Sequence, residues 1–364
     1  MINSTSMGEK CLALMALLCS LAALEGCEAS RPRAGAEVQP AHHTGAGFRN
    51  LHIPLRGRRG DFFRWRLGLG PQEAPALTPA EVAGAGGPEV SPPDFNSLKH
   101  AQPEEIQVTW IGHSTFLIQT AGLNILTDPQ FSERASPVGF AGPRRLLPPG
   151  ISLTDLPPID LVLVSHNHYD HLDRPTVLEL QRRFRPRFVA PLGLKSWFAA
   201  EGIGAAIELD WWNTADLGTV RVTCVPAQHF SIRTPFDANR TLWGGFVVDT
   251  PAGRILFAGD TGYSPDFRVI GERLGPMRLA LIPIGGYMPR WFMQPMHVNP
   301  PEAVQIHRDV RARQSIGMHW GTFPLTEEPL GEPPVYLRKA RAAAGLAREA
   351  FITVNIGETR VLER

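Results

Sequence analysis

Cysteine is scarce in this 364-residue chain, and its placement is uneven. Cys11, Cys19 and Cys27 fall in the first 27 residues, which leaves Cys224 alone in the remainder. A body with one thiol forms no internal disulfide, so a cystine-stapled scaffold is excluded. A surplus of one charge sign is also missing: 36 Lys and Arg stand against 35 Asp and Glu, a formal net charge of +1. No bulk positive field is available to hold nucleic acid, and no such partner is expected. No apolar run approaches the roughly 18 residues that cross a bilayer. What is present is a globular composition, 43% hydrophobic and 20% charged, which excludes an acidic disordered chain. The 35 Gly and 34 Pro point to long loops or irregular flanks.

The N-terminus reads as an address. Lys10 precedes an apolar stretch from Cys11 to Leu24, broken by Ser20 and closed by Glu25-Gly26-Cys27. This is the order of basic, apolar and small residues found in an export signal. The ending resembles a bacterial lipoprotein cleavage box. The expectation is therefore a signal peptide over 1–27, a lipid anchor on Cys27, and a periplasm-facing place in a bacterial cell envelope. An unlipidated export signal and a cytosolic chain with a short apolar helix are the alternatives. Residues 28–100 read as a flexible spacer and N-terminal arm, with His42 and His43 solvated. Within it, 61–67 mixes aromatic and basic side chains, which either pack on the domain or touch lipid head groups. The catalytic domain is assigned to 101–364.

From Ile106 the apolar pattern becomes regular. Short strands are expected at 106–110, 115–119, 123–126, 160–165, 188–191, 220–225, 242–249, 254–258, 279–284 and 315–318, with two more near 352 and 361. Helices are expected at 176–184, 194–200, 301–311 and 335–347. Strands that first meander and then alternate with helices imply sheets covered by helices, an α/β domain.

The chemistry concentrates in Ser165-His166-Asn167-His168-Tyr169-Asp170-His171-Leu172-Asp173, directly after the apolar run 160–165. Imidazole nitrogen and carboxylate oxygen are donors that zinc accepts, and alternate residues of an extended segment point the same way. His166 and His168 can share one ion while Asp170 and His171 turn toward a second. These four are ample for one site and too few for two. Further ligands are available just past later apolar runs, at His229, Asp260 and His319.

His-x-His-x-Asp-His with those three later residues resembles the metallo-β-lactamase fold superfamily. Pro226-Ala227-Gln228-His229, Phe257-Ala258-Gly259-Asp260-Thr261-Gly262-Tyr263, Pro289-Arg290-Trp291-Phe292-Met293 and His319-Trp320-Gly321-Thr322-Phe323 narrow the likeness. Over about residues 105–335 the chain resembles the branch of phospholipases D that hydrolyse N-acyl-phosphatidylethanolamine. The ascorbate-phosphate lactonase branch is next nearest. The resemblance implies an αβ/βα four-layer sandwich with two Zn2+ ions. His166, His168 and His229 would hold one, Asp170, His171 and His319 the other, and Asp260 would bridge them. It implies a metal-bridging hydroxide that cleaves an N-acyl-phosphatidylethanolamine-like phospholipid to phosphatidic acid and N-acylethanolamine. Asp170, Asp260 and His297 take the catalytic roles, and Tyr169, His297, Phe140 and Trp291 fall on the substrate side.

Several neighbours carry two readings. Asp173 either accepts from a ligand imidazole or caps the following helix. Tyr169 lines the substrate groove or packs on the sheet, and His297 is a pocket histidine or a surface one. His113 reads as a hydrogen-bonded turn residue, while Asp128 and His307 read as structural and Cys224 as a core thiol. Gly139, Phe140 and Met296 depart from the branch pattern on the substrate side. This keeps open a same-fold hydrolase of a lactone, a cyclic phosphate or another phosphodiester. The expected partners are a phospholipid and a membrane surface. The oligomeric state is open, with a homodimer among the alternatives.

Overall fold

The computed structural model describes residues 39–55, 58–83 and 86–362. The expected signal peptide and the Cys27 anchor therefore lie outside the described residues. Among the described residues, no helix is long and apolar enough to cross a membrane.

Two seven-stranded sheets form the body. The first runs in the order β16 (Thr359–Leu362), β3 (Ile106–Gly112), β4 (Thr115–Thr120), β5 (Leu123–Thr127), β6 (Leu161–Leu163), β7 (Arg187–Pro191) and β8 (Ile207–Leu209). It is antiparallel from β16 to β5 and parallel from β5 to β8. The second runs β15 (Phe351–Ile352), β14 (Gln314–Met318), β13 (Leu279–Pro283), β12 (Gly253–Phe257), β11 (Gly245–Thr250), β10 (Arg221–Val225) and β9 (Thr214–Asp216). It is parallel from β15 to β12 and antiparallel beyond.

Strands buried on both faces read as nearly unbroken apolar runs, and period two divides them between two cores. Val108, Trp110, Phe116, Ile118, Ile125, Leu161 and Leu163 join Phe246, Val248, Ile255, Leu279 and Leu281 of the other sheet. The alternate residues Leu117, Leu126, Val162, Val164, Phe188 and Ala190 join Val177 and Leu180 of α4 (Arg174–Phe184) and Leu194 and Phe198 of α5 (Leu194–Ala200). Helix α8 (Pro300–Asp309) lies against β13 and α9 (Glu332–Ala343) against β15, with α6 (Asp266–Leu274) packed on α8. Two facing sheets with helices outside make the expected αβ/βα sandwich. Each strand expected from the sequence forms, although β11 begins at Gly245 and not at 242.

Helix α6 and the short strands β8 and β9 were not expected. Gly271 sits inside α6 because a Cβ there would lie 1.9 Å from the Asp309 carbonyl oxygen. That close approach to α8 overrides the low helix propensity of glycine.

The N-terminal arm corrects one expectation. His42 and His43 are not solvated: their Nε2 atoms lie 2.6 Å and 2.8 Å from the two carboxylate oxygens of Asp210. His43 opens β1 (His43–Thr44), which pairs with β2 (Gly47–Phe48), and His42 directly precedes it. Next come α1 (Arg58–Arg66), α2 (Pro79–Val82) and α3 (Phe95–Lys99). Phe62 and Trp65 of α1 pack with Leu55 against Phe292, Met293 and Met296, two of them on α7 (Arg290–Met293). The Trp65 ring stacks on Phe292 at 5.3 Å, and its indole N–H donates to Glu327 Oε1 at 2.6 Å. The aromatic segment thus packs on the domain.

Candidate metal centre

The loops that leave β6, β10, β12 and β14 at their C-terminal ends meet at one edge of the sandwich. They bring together all seven residues picked out as ligands: His166, His168, Asp170, His171, His229, Asp260 and His319. His168 Nδ1 lies 2.8 Å from His166 Nε2 and 3.3 Å from His229 Nε2, so three ring nitrogens face one point. On the other side, Asp170 Oδ2 lies 3.2 Å from His171 Nε2 and 3.5 Å from His319 Nε2. Asp260 Oδ2 stands between the two groups. It is 3.0 Å from His171 Nε2, 3.1 Å from His319 Nε2, 3.8 Å from His229 Nε2 and 4.0 Å from His166 Nε2.

These residues fit a cation. His171 Nε2, His319 Nε2 and Asp260 Oδ1 are buried and lack a hydrogen-bond partner among the described residues. Buried polar atoms of this kind are costly unless something satisfies them. An imidazole and carboxylate donor set is what divalent transition metals take. The local field agrees. Burial disfavours charge throughout, yet Asp260 and Asp170 pull His319 up to about 9 and His171 well above the usual imidazole range. Burial wins at His168 and His229, which fall to about 4 and about 3.

A ring of neighbours fixes the ligands. Asp128 Oδ2 accepts from His171 Nδ1 and from Ser165 Oγ, each at 2.6 Å, and its Oδ1 accepts from Ser165 N at 2.7 Å. Ser165 Oγ in turn lies 2.9 Å from His166 Nδ1. His229 Nδ1 donates to the Met296 carbonyl at 2.9 Å. Each contact occupies the outer ring nitrogen and leaves Nε2 for the centre. His113 Nε2 lies 2.9 Å from Asp170 Oδ2, beside the same site. Three of these residues have left-handed backbone: φ is +54° at His113, +31° at Asp128 and +60° at His319.

The substrate-side residues separate. The His297 ring stands 5.2 Å from both the His229 and the His319 rings, at the mouth of the cluster. Trp291 lies half-buried on α7, 5.7 Å from the Phe292 ring. The Tyr169 hydroxyl donates to the Arg233 carbonyl at 2.9 Å, and the Arg233 guanidinium covers its ring at 4.1 Å. Tyr169 is thus held as a packing residue, with its hydroxyl turned to the Arg233 carbonyl. Phe140 is 77% exposed on the β5–β6 loop and does not pack on the ligand rings. Asp173 occupies the N-cap position of α4, but its carboxylate accepts from Phe131 N, Ser132 N, Ser132 Oγ and Thr176 Oγ1. No ligand imidazole reaches it.

His113 is the hydrogen-bonded turn residue that the sequence indicated, but its partner Asp170, the tie of Asp128 to His171, and Arg233 altogether were not legible there. Arg233 Nη1 donates to Asn167 O at 3.0 Å and Leu172 O at 2.8 Å, clamping both ends of the ligand loop. For Asp128 a signal existed, since it stands just past an apolar strand as Asp260 and His319 do.

Residues 123–320 match the profile of the beta-lactamase superfamily domain. The chain belongs to the metallo-β-lactamase superfamily and is a metal-dependent hydrolase of that class. Within it, the chain is 45% identical over 264 residues to N-acyl-phosphatidylethanolamine-hydrolyzing phospholipase D 1 of Caenorhabditis elegans, covering 69% of this chain and 74% of that one. An uncharacterized protein of Mycobacterium tuberculosis is 41% identical over 315 residues, or 85% and 81% of the two chains. The mitochondrial N-acyl-phosphatidylethanolamine-hydrolyzing phospholipase D of Saccharomyces cerevisiae is 40% identical over 232 residues, 62% of this chain and 49% of that one. Among solved structures, the metallo hydrolase Igni18 of Ignicoccus hospitalis has the same fold, with a TM-score of 0.56 at 24% identity over 71% of this chain and 99% of that one.

Proposed function

We propose that this chain is a two-zinc phosphodiesterase of the phospholipase D type. Its substrate in this reading is N-acyl-phosphatidylethanolamine or a close relative, and its products are phosphatidic acid and an N-acylethanolamine. The observation that carries the reading is the place of Asp260, whose Oδ2 lies within 4.0 Å of Nε2 on four imidazoles. One carboxylate shared by two donor groups suits two ions side by side. His166, His168 and His229 would hold one, and Asp170, His171 and His319 the other. Two such ions supply a nucleophile from water near neutral pH and stabilise charge on phosphoryl oxygens.

The side chains around them do the positioning. Asp128 and the Met296 carbonyl hold His171 and His229 with Nε2 inward. His113 steadies Asp170 from behind. In this reading His297 would offer its imidazole to a phosphoryl oxygen, and Trp291 would meet the lipid. Likeness to the two phospholipases D supports the substrate class. A lipid on Cys27, followed by the spacer, would hold the centre at an envelope membrane where such substrates lie. Mass spectrometry of the mature N-terminus tests that anchor, and an unprocessed Met1 or Met7 counts against it.

The reaction is tested by incubating the zinc-loaded protein with a mixed phospholipid extract and reading products by mass spectrometry. N-acylethanolamine and phosphatidic acid are expected to accumulate together. Consumption of a different ester, with N-acyl-phosphatidylethanolamine untouched, would instead support the same-fold hydrolase of another substrate.

A further inference from the structure

We propose that the segment after β2 is a working part of the metal centre, with Asn50 as a positioning residue for His229. The inference rests on His229 being a ligand in the reading above. Asn50 Nδ2 donates to the His229 carbonyl at 2.7 Å, and Asn50 Oδ1 accepts from the His229 N–H at 3.1 Å. The adjacent residue returns the arrangement. Gln228 Oε1 accepts from Ile53 N–H at 3.1 Å, and Gln228 Nε2 donates to the Ile53 carbonyl at 2.8 Å. Two carboxamides therefore pair strap with ligand loop, each side supplying one. A carboxamide both donates and accepts, so it fixes the position and the rotation of the residue it pairs with.

His229 needs such a partner. It lies beyond the end of β10, outside the ladder that holds Arg221–Val225, and it is fully buried. Asn50 takes up both its backbone N–H and its carbonyl. Without Asn50 these two buried groups lose their partners, and the main chain carrying the imidazole is free to shift. The ring has a second tie to the same arm. Its Nδ1 donates to Met296, which packs with Leu55, Phe62 and Trp65. The strap is itself anchored at either side of Asn50. Phe48 N donates to Asn239 O at 2.8 Å, and His52 Nε2 lies 3.1 Å from Asp266 Oδ2.

Asn50 stands behind the ligand and not among the reacting atoms, so its signature is metal affinity at one place. The test is a zinc titration of the full chain against a competing chelator, for wild type, Asn50→Ala, Gln228→Ala and His52→Ala. In Asn50→Ala one zinc equivalent is expected to weaken by about 10–100-fold while the other holds within about two-fold. The kcat should fall by a similar factor with KM little changed. Gln228→Ala should weaken the same equivalent by a smaller factor. His52→Ala, which releases the strap's anchor to Asp266 beside Asn50, should weaken the same equivalent by a smaller factor still. Wild-type affinity for both equivalents in Asn50→Ala would overturn the proposal, as would equal weakening of the two. Should Asn50→Ala fail to fold, Gln228→Ala decides by the same criterion. A wild type that binds zinc but spares N-acyl-phosphatidylethanolamine would count against the proposed reaction alone.

Discussion

Asp128 Oδ2 accepts from His171 Nδ1 at 2.6 Å, and both side chains are wholly buried. The same carboxylate reaches Ser165 through both its N–H and its hydroxyl, so one residue after β5 sets both ends of the ligand loop after β6. Asp128→Ala should therefore weaken metal binding by about 10–100-fold. It should also cost about 1–3 kcal/mol of stability, because the Ser165 N–H is left buried and unpaired. Chelator competition and urea denaturation measure the two effects separately.

Arg233 closes the same loop from outside. Its guanidinium lies 4.1 Å from the Tyr169 ring and 5.3 Å from the Trp197 ring while Nη1 serves two loop carbonyls. Arg233→Met keeps much of the stacking and removes the donors. A loss of about 2–3 kcal/mol is expected from urea denaturation, as for a hydrogen bond made by a charged group. An unchanged midpoint would mean that the carbonyls find other partners.

Metal removal should destabilise the fold without dissolving it. The two carboxylates Asp170 and Asp260 are left facing each other across imidazoles, while the two cores are untouched. A ligand present at about 1,000 times its Kd contributes about 4 kcal/mol. Chelation should lower the melting temperature by several degrees and leave the far-ultraviolet circular dichroism unchanged.

His307 predicts the acid side of the stability curve. It is buried on α8, its Nδ1 is 2.8 Å from Ser315 Oγ, and burial, with the nearby Arg308 charge, pushes it down to about 4. Below about pH 6.5 the unfolded chain takes up a proton that the folded chain refuses, so stability falls as pH drops toward 4. The limiting slope from one such group is about 1.4 kcal/mol per pH unit. His307→Gln should lose stability less steeply than wild type between pH 6.5 and 4, by thermal melts across that range. Parallel curves would contradict this.

What was legible in the sequence is local. The ligand loop is six residues long and follows an apolar strand, so spacing alone brought His166, His168, Asp170 and His171 to one place. The strands of both sheets showed as apolar runs because both faces are buried, while β8 and β9 are short and only half-covered. The missed contributions act across long stretches of chain. Asn50 meets His229 179 residues away, and His113 meets Asp170 57 residues away. His42 and His43 looked like tail residues because Asp210, which binds both, lies in a distant loop. Phe140 was placed by resemblance alone, and no local rule indicated that its loop would leave it exposed.

The central claim is that seven residues hold two ions on either side of Asp260. Anomalous diffraction at the zinc edge, from crystals grown with zinc, tests it most directly. Two peaks about 3.5–4 Å apart are expected, one against His166, His168 and His229 and one against Asp170, His171 and His319, with the Asp260 carboxylate between them. A single peak, or two peaks that Asp260 does not touch, would contradict the account.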